Sequence, residues 1–171
     1  MTLASYSAHE RLRDGRPVEI RALRPRDEAD MLDAINHTNA ESLRRRFFVA
    51  KRAFSETEKA FFMNADFVNH VALVAEIEEN DRRVIVGGGR YIMTEPGEAE
   101  IAFVVIDAYQ GQGIGTLLMR HLAVIARAAG LRNLIAEVLP ENAGMRKVFS
   151  KFGFRVRRGT DPKLVHLVLT L

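Results

Sequence analysis

Three glycines at alternate positions, Gly111, Gly113 and Gly115 in the run QGQGIGT over residues 110–116, separate two stretches of different hydrophobic period. Upstream, residues 98–106 alternate with Ile101, Phe103 and Val105 apolar, the pattern of a strand with one buried face. Downstream, Leu118, Leu122, Ile125 and Ala129 recur at helical spacing and Gly130 supplies a stop. Residues 134–139 return to strand character. Strand, glycine loop, helix and strand in that order predict a right-handed crossover to a parallel neighbour. Glycine removes side chains where backbone must approach a ligand. Successive N–H groups at a helix N-terminus then seat phosphate oxygens without a lysine, and a pyrophosphate fits there.

The remaining segments place this unit in an α/β chain. Residues 18–23 (VEIRAL) alternate, Pro25 cuts the strand, and the acidic run 27–30 (DEAD) starts a helix carrying Met31, Leu32 and Ile35. A second helical piece over 42–48 holds Leu43, Phe47 and Phe48 beside Arg44, Arg45 and Arg46. That triplet fits an acidic ligand or a solvated helix face, and no role is assigned to it. Ser55 with Glu58 is a capping box opening a third helix to about Asn64. Residues 71–77 and 84–93 read as a hairpin around a turn at 80–83, with a bulge expected near Gly87, Gly88 and Gly89. The turn TEPG at 94–97 makes residues 98–106 a third antiparallel strand. Beyond Pro140, residues 142–152 are helical, Gly153 stops them, and 154–157 and 163–171 form two last strands around a turn at 159–162. The expected fold is a mixed, mostly antiparallel sheet flanked by helices, one domain over 1–171 with residues 1–16 as a polar leader.

Composition narrows the function classes. The chain is 47% hydrophobic and 27% charged, enough to bury a full core, and its net charge is +3. With a pI near 9.5 an acidic ligand is plausible, but Lys/Arg and Asp/Glu are interspersed rather than blocked, so nucleic acid is not implied. There is no cysteine, hence no disulfide, thiolate metal site or cysteine nucleophile, as is common in a reduced cytoplasm. No His/Asp/Glu cluster has metal-ligand spacing, so no metal is expected. No signal-peptide h-region is present, and no apolar run approaches the roughly 20 residues that span a bilayer.

By itself the loop admits three readings: a pyrophosphate cradle, a dinucleotide-binding turn, or a turn with no ligand. Against the second, Thr116 stands where a third glycine belongs, residues 107–110 intervene between strand and glycines, and three antiparallel-looking strands precede it. A Walker A loop fails because no Gly-Lys-Ser/Thr ending is present. Residues 100–154 resemble the acetyl-CoA-binding core of the GNAT superfamily of N-acetyltransferases. The match comprises the apolar strand, Gln110-x-x-Gly113-x-Gly115, a strand ending near Asn142, and a helix closing on Gly153 and Phe154. Within that superfamily the chain is similar to bacterial protein lysine acetyltransferases of the Pat type, through AEIAFVV at 99–105, AEVLPEN at 136–142 and SLRRRFF at 42–48.

The resemblance implies a single-domain GNAT fold and acetyl-CoA as cosubstrate. The implied acceptor is a primary amine, a protein lysine such as one on an acyl-CoA synthetase, with a small-molecule amine or a non-catalytic acyl-CoA sensor as alternatives. Oligomeric state is left open. A lysine amine, of pKa roughly 10.4, needs a proton acceptor at neutral pH. The resemblance gives that role to Glu100; Glu98, on the same strand face, and Glu137, on the next strand, are understudies. Backbone N–H groups of Phe103, Val104 and Val105 polarise the thioester carbonyl, worth about 2.7–4 kcal/mol per donor. Gln110, Gly111, Gln112, Gly113, Ile114, Gly115 and Thr116 hold the pyrophosphate. Asn142 either binds the pantetheine arm or caps the following helix, or does both. Many GNAT enzymes place a tyrosine acid seven residues after this Asn; Phe149 stands there instead, as the Pat type also lacks that tyrosine. Tyr91 and Tyr109 read as packing residues, and His121 as a core or boundary histidine rather than a catalytic one.

Overall fold

The structure, a computed structural model, describes residues 2–36 and 63–171. Eight strands form one sheet in the order β1-β2-β3-β4-β5-β6-β8-β7. They are β1 (Ser7–Arg11), β2 (Pro17–Ala22), β3 (His70–Glu79), β4 (Arg82–Glu95), β5 (Glu98–Val105), β6 (Asn133–Val138), β7 (Arg155–Arg157) and β8 (Val165–Thr170). Three α-helices are described: α1 (Glu28–Asn36), α2 (Ile114–Ala128) and α3 (Ala143–Lys151). Every neighbouring pair is antiparallel except β5 with β6. The expected mixed, mostly antiparallel sheet is therefore present, with its parallel step where the glycine loop and α2 cross over.

Strand alternation divides the core between two faces. Val71, Leu73, Ala75 and Ile77 of β3 join Leu118 and Leu122 of α2, while Ala72 and Val74 meet Met31 and Ala34 of α1. Gly89 is needed where sheet and helix press together: a Cβ there would lie 2.7 Å from the Phe103 ring and 3.1 Å from Leu122. The expected bulge is found beside the glycine run, where Ala75 pairs with Gly87 but Glu76 pairs with Ile85, leaving Val86 as the extra residue. The start of α1 is tied to the sheet by a buried Arg21, whose guanidinium donates to both Asp27 carboxylate oxygens at 2.8 and 2.9 Å and to Glu76 at 2.9 Å.

One expectation is corrected. Residues 7–11, taken as part of a polar leader, form β1, paired antiparallel with β2 from Ser7 opposite Arg21 to Arg11 opposite Pro17. Backbone pairing at the sheet edge holds SAHER in place without an apolar face, as its alternation between exposed and half-buried positions shows. The helical piece read at 42–48, its arginine triplet and most of the third helix lie outside the described residues.

Candidate active site

β5 and β6 run side by side only at their starts. Their register consists of Glu98 with Asn133, Ala99 with Leu134 and Glu100 with Ile135, although β5 continues to Val105 and β6 to Val138. Beyond Glu100 the strands part. A cleft of about 410 Å³ opens there, lined by residues 100–105 of β5, Glu137 and Val138 of β6, the glycine loop and one side of α3.

The loop is shaped by its glycines. A turn of 3-10 helix at Asp107–Tyr109 ends β5, Gly111 and Gly113 take φ of +83° and +88°, and Gly113 is the N-cap of α2, its carbonyl accepting the first helical bond from Leu117 N–H at 3.0 Å. Side chains other than glycine adopt such φ only with strain. A Cβ at Gly111 or Gly115 would meet nothing within 4 Å, so space is open beside both. The Gln110 side-chain amide donates to Val105 O at 3.2 Å, closing the loop onto the strand. Phe103, Val104, Val105, Gln110, Gly111, Gly113, Ile114, Gly115, Thr116 and Asn142 all line the cleft; Gln112 does not, its side-chain oxygen being buried and its backbone carbonyl accepting from Arg13 N–H at 3.1 Å.

The three carboxylates differ in setting. Ile101 and Phe103 belong to the α2-side core, so Glu98 and Glu100 project from the other sheet face by alternation. Glu100 lines the cleft; Glu98 does not, and pairs with Arg157 at 3.4 Å. Glu137 lines the cleft and lies 3.5 Å from His166 on β8. Asn142 caps α3, its Oδ1 accepting from Met145 N–H at 3.3 Å, while also lining the cleft. Phe149 is buried between Phe103 and Phe154, at centroid distances of 5.9 and 4.8 Å, and presents no proton.

Other polar groups fall into structural settings. Tyr91 is buried; Tyr109 is buried too, but it also lines the cleft and its hydroxyl donates to Glu79, with Arg16 5.1 Å above its ring. Burial, then the Glu79 hydrogen bond, raises the Tyr109 pKa. His121 pairs with the Tyr6 hydroxyl at 2.5 Å through Nδ1, and His70 receives Arg90 at 2.9 Å on Nε2. No group of three or more His, Asp or Glu among the described residues is arranged to hold a metal. No described helix is long and apolar enough to cross a membrane.

Sequence reasoning missed Arg13. It lines the cleft from the β1–β2 turn and donates from its guanidinium to Gly111 O at 3.1 Å. No local signal marks a contact between residues 98 positions apart.

A glycine loop opening a helix beside two parting parallel strands, next to a carboxylate, is the arrangement expected of an acyl-CoA site. Residues 35–154 match the Acetyltransferase (GNAT) family. The chain belongs to that family. It is 33% identical to acetyltransferase PA5475 of Pseudomonas aeruginosa over 89% of this chain and 82% of that protein. It is 29% identical to acetyltransferase Pat of Mycolicibacterium smegmatis over 83% of this chain but only 42% of that longer protein. The GNAT domain of S. lividans PAT superposes with a TM-score of 0.88 at 32% identity, covering 96% of this chain and 97% of that one. The same fold recurs at 20% identity and TM-score 0.72 in yncA of Salmonella typhimurium, solved with its cofactor acetyl-CoA, over 90% of this chain and 93% of that one. This GNAT chain is an acetyltransferase that uses acetyl-CoA. Its residues suit that cosubstrate: free space beside Gly111 and Gly115 admits phosphates, and the gap between β5 and β6 admits a peptide-like arm.

Proposed function

We propose that the enzyme transfers the acetyl group directly to a primary amine on a protein lysine, with Glu100 as the proton acceptor. The observation that carries this is the place of Glu100: the last paired residue of β5 before the strands part, in the same cleft as the glycine loop. Acetyl-CoA supplies an acyl group activated as a thioester. The Glu100 carboxylate takes a proton from the acceptor's ammonium, directly or through water, and the neutral amine bonds to the carbonyl carbon as the carbon–sulfur bond breaks. Backbone N–H groups of Phe103 and Val105 favour charge building on the carbonyl oxygen; by strand alternation the Val104 N–H, expected to join them, turns instead toward β4, as does the Ile106 N–H that donates to Val86 O at 3.0 Å. Gln110, Gly111, Gly113, Ile114, Gly115 and Thr116 hold the pyrophosphate through backbone and helix N-terminus, without Gln112, which lies off the cleft, and the Asn142 side chain meets the carrier arm while capping α3. The nitrogen loses its second proton as the amide forms, and because Phe149 has no proton to give, the departing thiolate takes one from solvent or another group.

Support for a protein acceptor comes from the resemblance of residues 42–48, 99–105 and 136–142 to Pat-type protein lysine acetyltransferases. Glu100→Gln should lower turnover at pH 7 by a factor on the order of 100 or more while leaving acetyl-CoA affinity near the wild-type value. Undiminished turnover would remove Glu100 from the role. Mass spectrometry after incubation with acetyl-CoA and purified acyl-CoA synthetases tests the acceptor; acetylation confined to small amines in a parallel panel would overturn the protein-lysine assignment.

A further inference from the structure

We infer that Arg13, carried on the β1–β2 turn, is the cation that binds the pyrophosphate of acetyl-CoA. The inference rests on the cleft being the acetyl-CoA site. A diphosphate bears formal charge, and QGQGIGT offers none in return: its backbone N–H groups and the helix end provide partial charges only. Lys147 and Lys151 line the cleft from α3, but the cation that the fold binds to the loop itself comes from far upstream. Leu12 is buried, its N–H donates to Arg16 O at 2.9 Å, and its carbonyl accepts from Gly15 N–H at 2.9 Å, with Gly15 at φ +90°. That tight turn presents Arg13 to the loop, where its N–H is held by Gln112 O at 3.1 Å and its guanidinium by Gly111 O at 3.1 Å. The side chain passes beside Gly113, where a Cβ would lie 3.6 Å from both its Cγ and its Nε.

The neighbouring arginine shows the contrast. Arg16 is occupied by Asp14 at 2.8 Å and by Tyr109, whereas Arg13 has no carboxylate partner among the described residues and lines the cleft. One bond to Gly111 orients the guanidinium and leaves its remaining donors for phosphate oxygens, an acceptor that matches its planar fork. The loop and this arginine thus form one phosphate site, built from both ends of the chain's first 120 residues.

Calorimetry with CoA and with 3′-dephospho-CoA tests this on wild type, Arg13→Gln and Arg13→Lys. Gln keeps a hydrogen-bond donor but not the charge, and should weaken both ligands by about tenfold or more, with the unfolding temperature unchanged. Lys should recover part of the loss. Gln binding both ligands as tightly as wild type overturns the proposal. Weakening of CoA alone assigns Arg13 to the 3′-phosphate and overturns the pyrophosphate assignment, and an affinity loss matched by a lowered unfolding temperature makes the residue a structural latch. A wild type that binds neither ligand defeats the reading of the cleft, and the proposal with it, a result distinct from a variant that binds normally.

Discussion

Asp27 and His70 are ionisable side chains that the fold buries, and each ties stability to charge differently. Burial alone would push the Asp27 carboxyl up, but the Arg21 guanidinium and the Arg24 N–H hold it below the usual range. Asp27→Ala would remove two charge-assisted bonds from the buried Arg21 guanidinium while Glu76 keeps its charge paired, so a loss of about 1.5–3 kcal/mol is expected from urea denaturation. The DEAD run already placed an acid at the start of α1; that its partner would be Arg21 was not legible, because alternation marks a face without saying what charge lies across it. His70 is 6% exposed, and burial followed by the nearby Arg90 charge lowers its pKa to about 4 from an ordinary 6.5. The unfolded ring therefore takes up a proton before the folded one does. Its contribution is complete above pH 6.5 and falls as pH drops from 6.5 toward 4, and His121, lowered by burial and then by Arg120, adds slope of the same sign. His70→Gln retains an acceptor for Arg90 and should flatten the loss between pH 6.5 and 5; urea midpoints at several pH values would show this, and an unaltered slope would contradict it.

Among the elements, the strand-to-helix loop separates what a glycine does for the chain from what it does for a ligand. Gly113 sits at φ +88°, so Gly113→Ala should destabilise the start of α2 by about 1–2 kcal/mol and weaken acetyl-CoA binding. Gly115 lies inside α2 without a positive φ and with free space beside it, and the GNAT resemblance admits alanine at this place. Gly115→Ala should raise stability by up to about 1 kcal/mol and retain acetyl-CoA binding. Thermal unfolding with and without acetyl-CoA distinguishes the pair; equal behaviour would mean that backbone conformation is not what selects glycine there. Elements with a buried face were legible in the sequence: β3, β4, β5, α2 and β6 all follow from period and punctuation. β1 was not, because an edge strand of alternating polar residues is held by its ladder to β2 rather than by burial.

For the molecule as a whole, the parting of β5 from β6 leaves an opening in the sheet, and the proposed acetyl-CoA site lies there. At acetyl-CoA concentrations near 100 times its dissociation constant, linkage adds about 2.7 kcal/mol, which raises the unfolding temperature by roughly 5–10 °C for a chain of this size. A titration showing no rise would contradict binding to the folded state. The fold class, the strand–loop–helix crossover and the candidates Glu100 and Asn142 were legible in the sequence by itself, the last two through a family resemblance. Dihedral preferences and hydrophobic period act over a few residues, so they specify elements and their order. The place where β5 and β6 separate, the engagement of Glu98 by Arg157 while Glu100 stays in the cleft, and the arrival of Arg13 over the glycine loop were decided only in the tertiary structure. Each depends on sheet register and on contacts between distant segments, which no local pattern encodes.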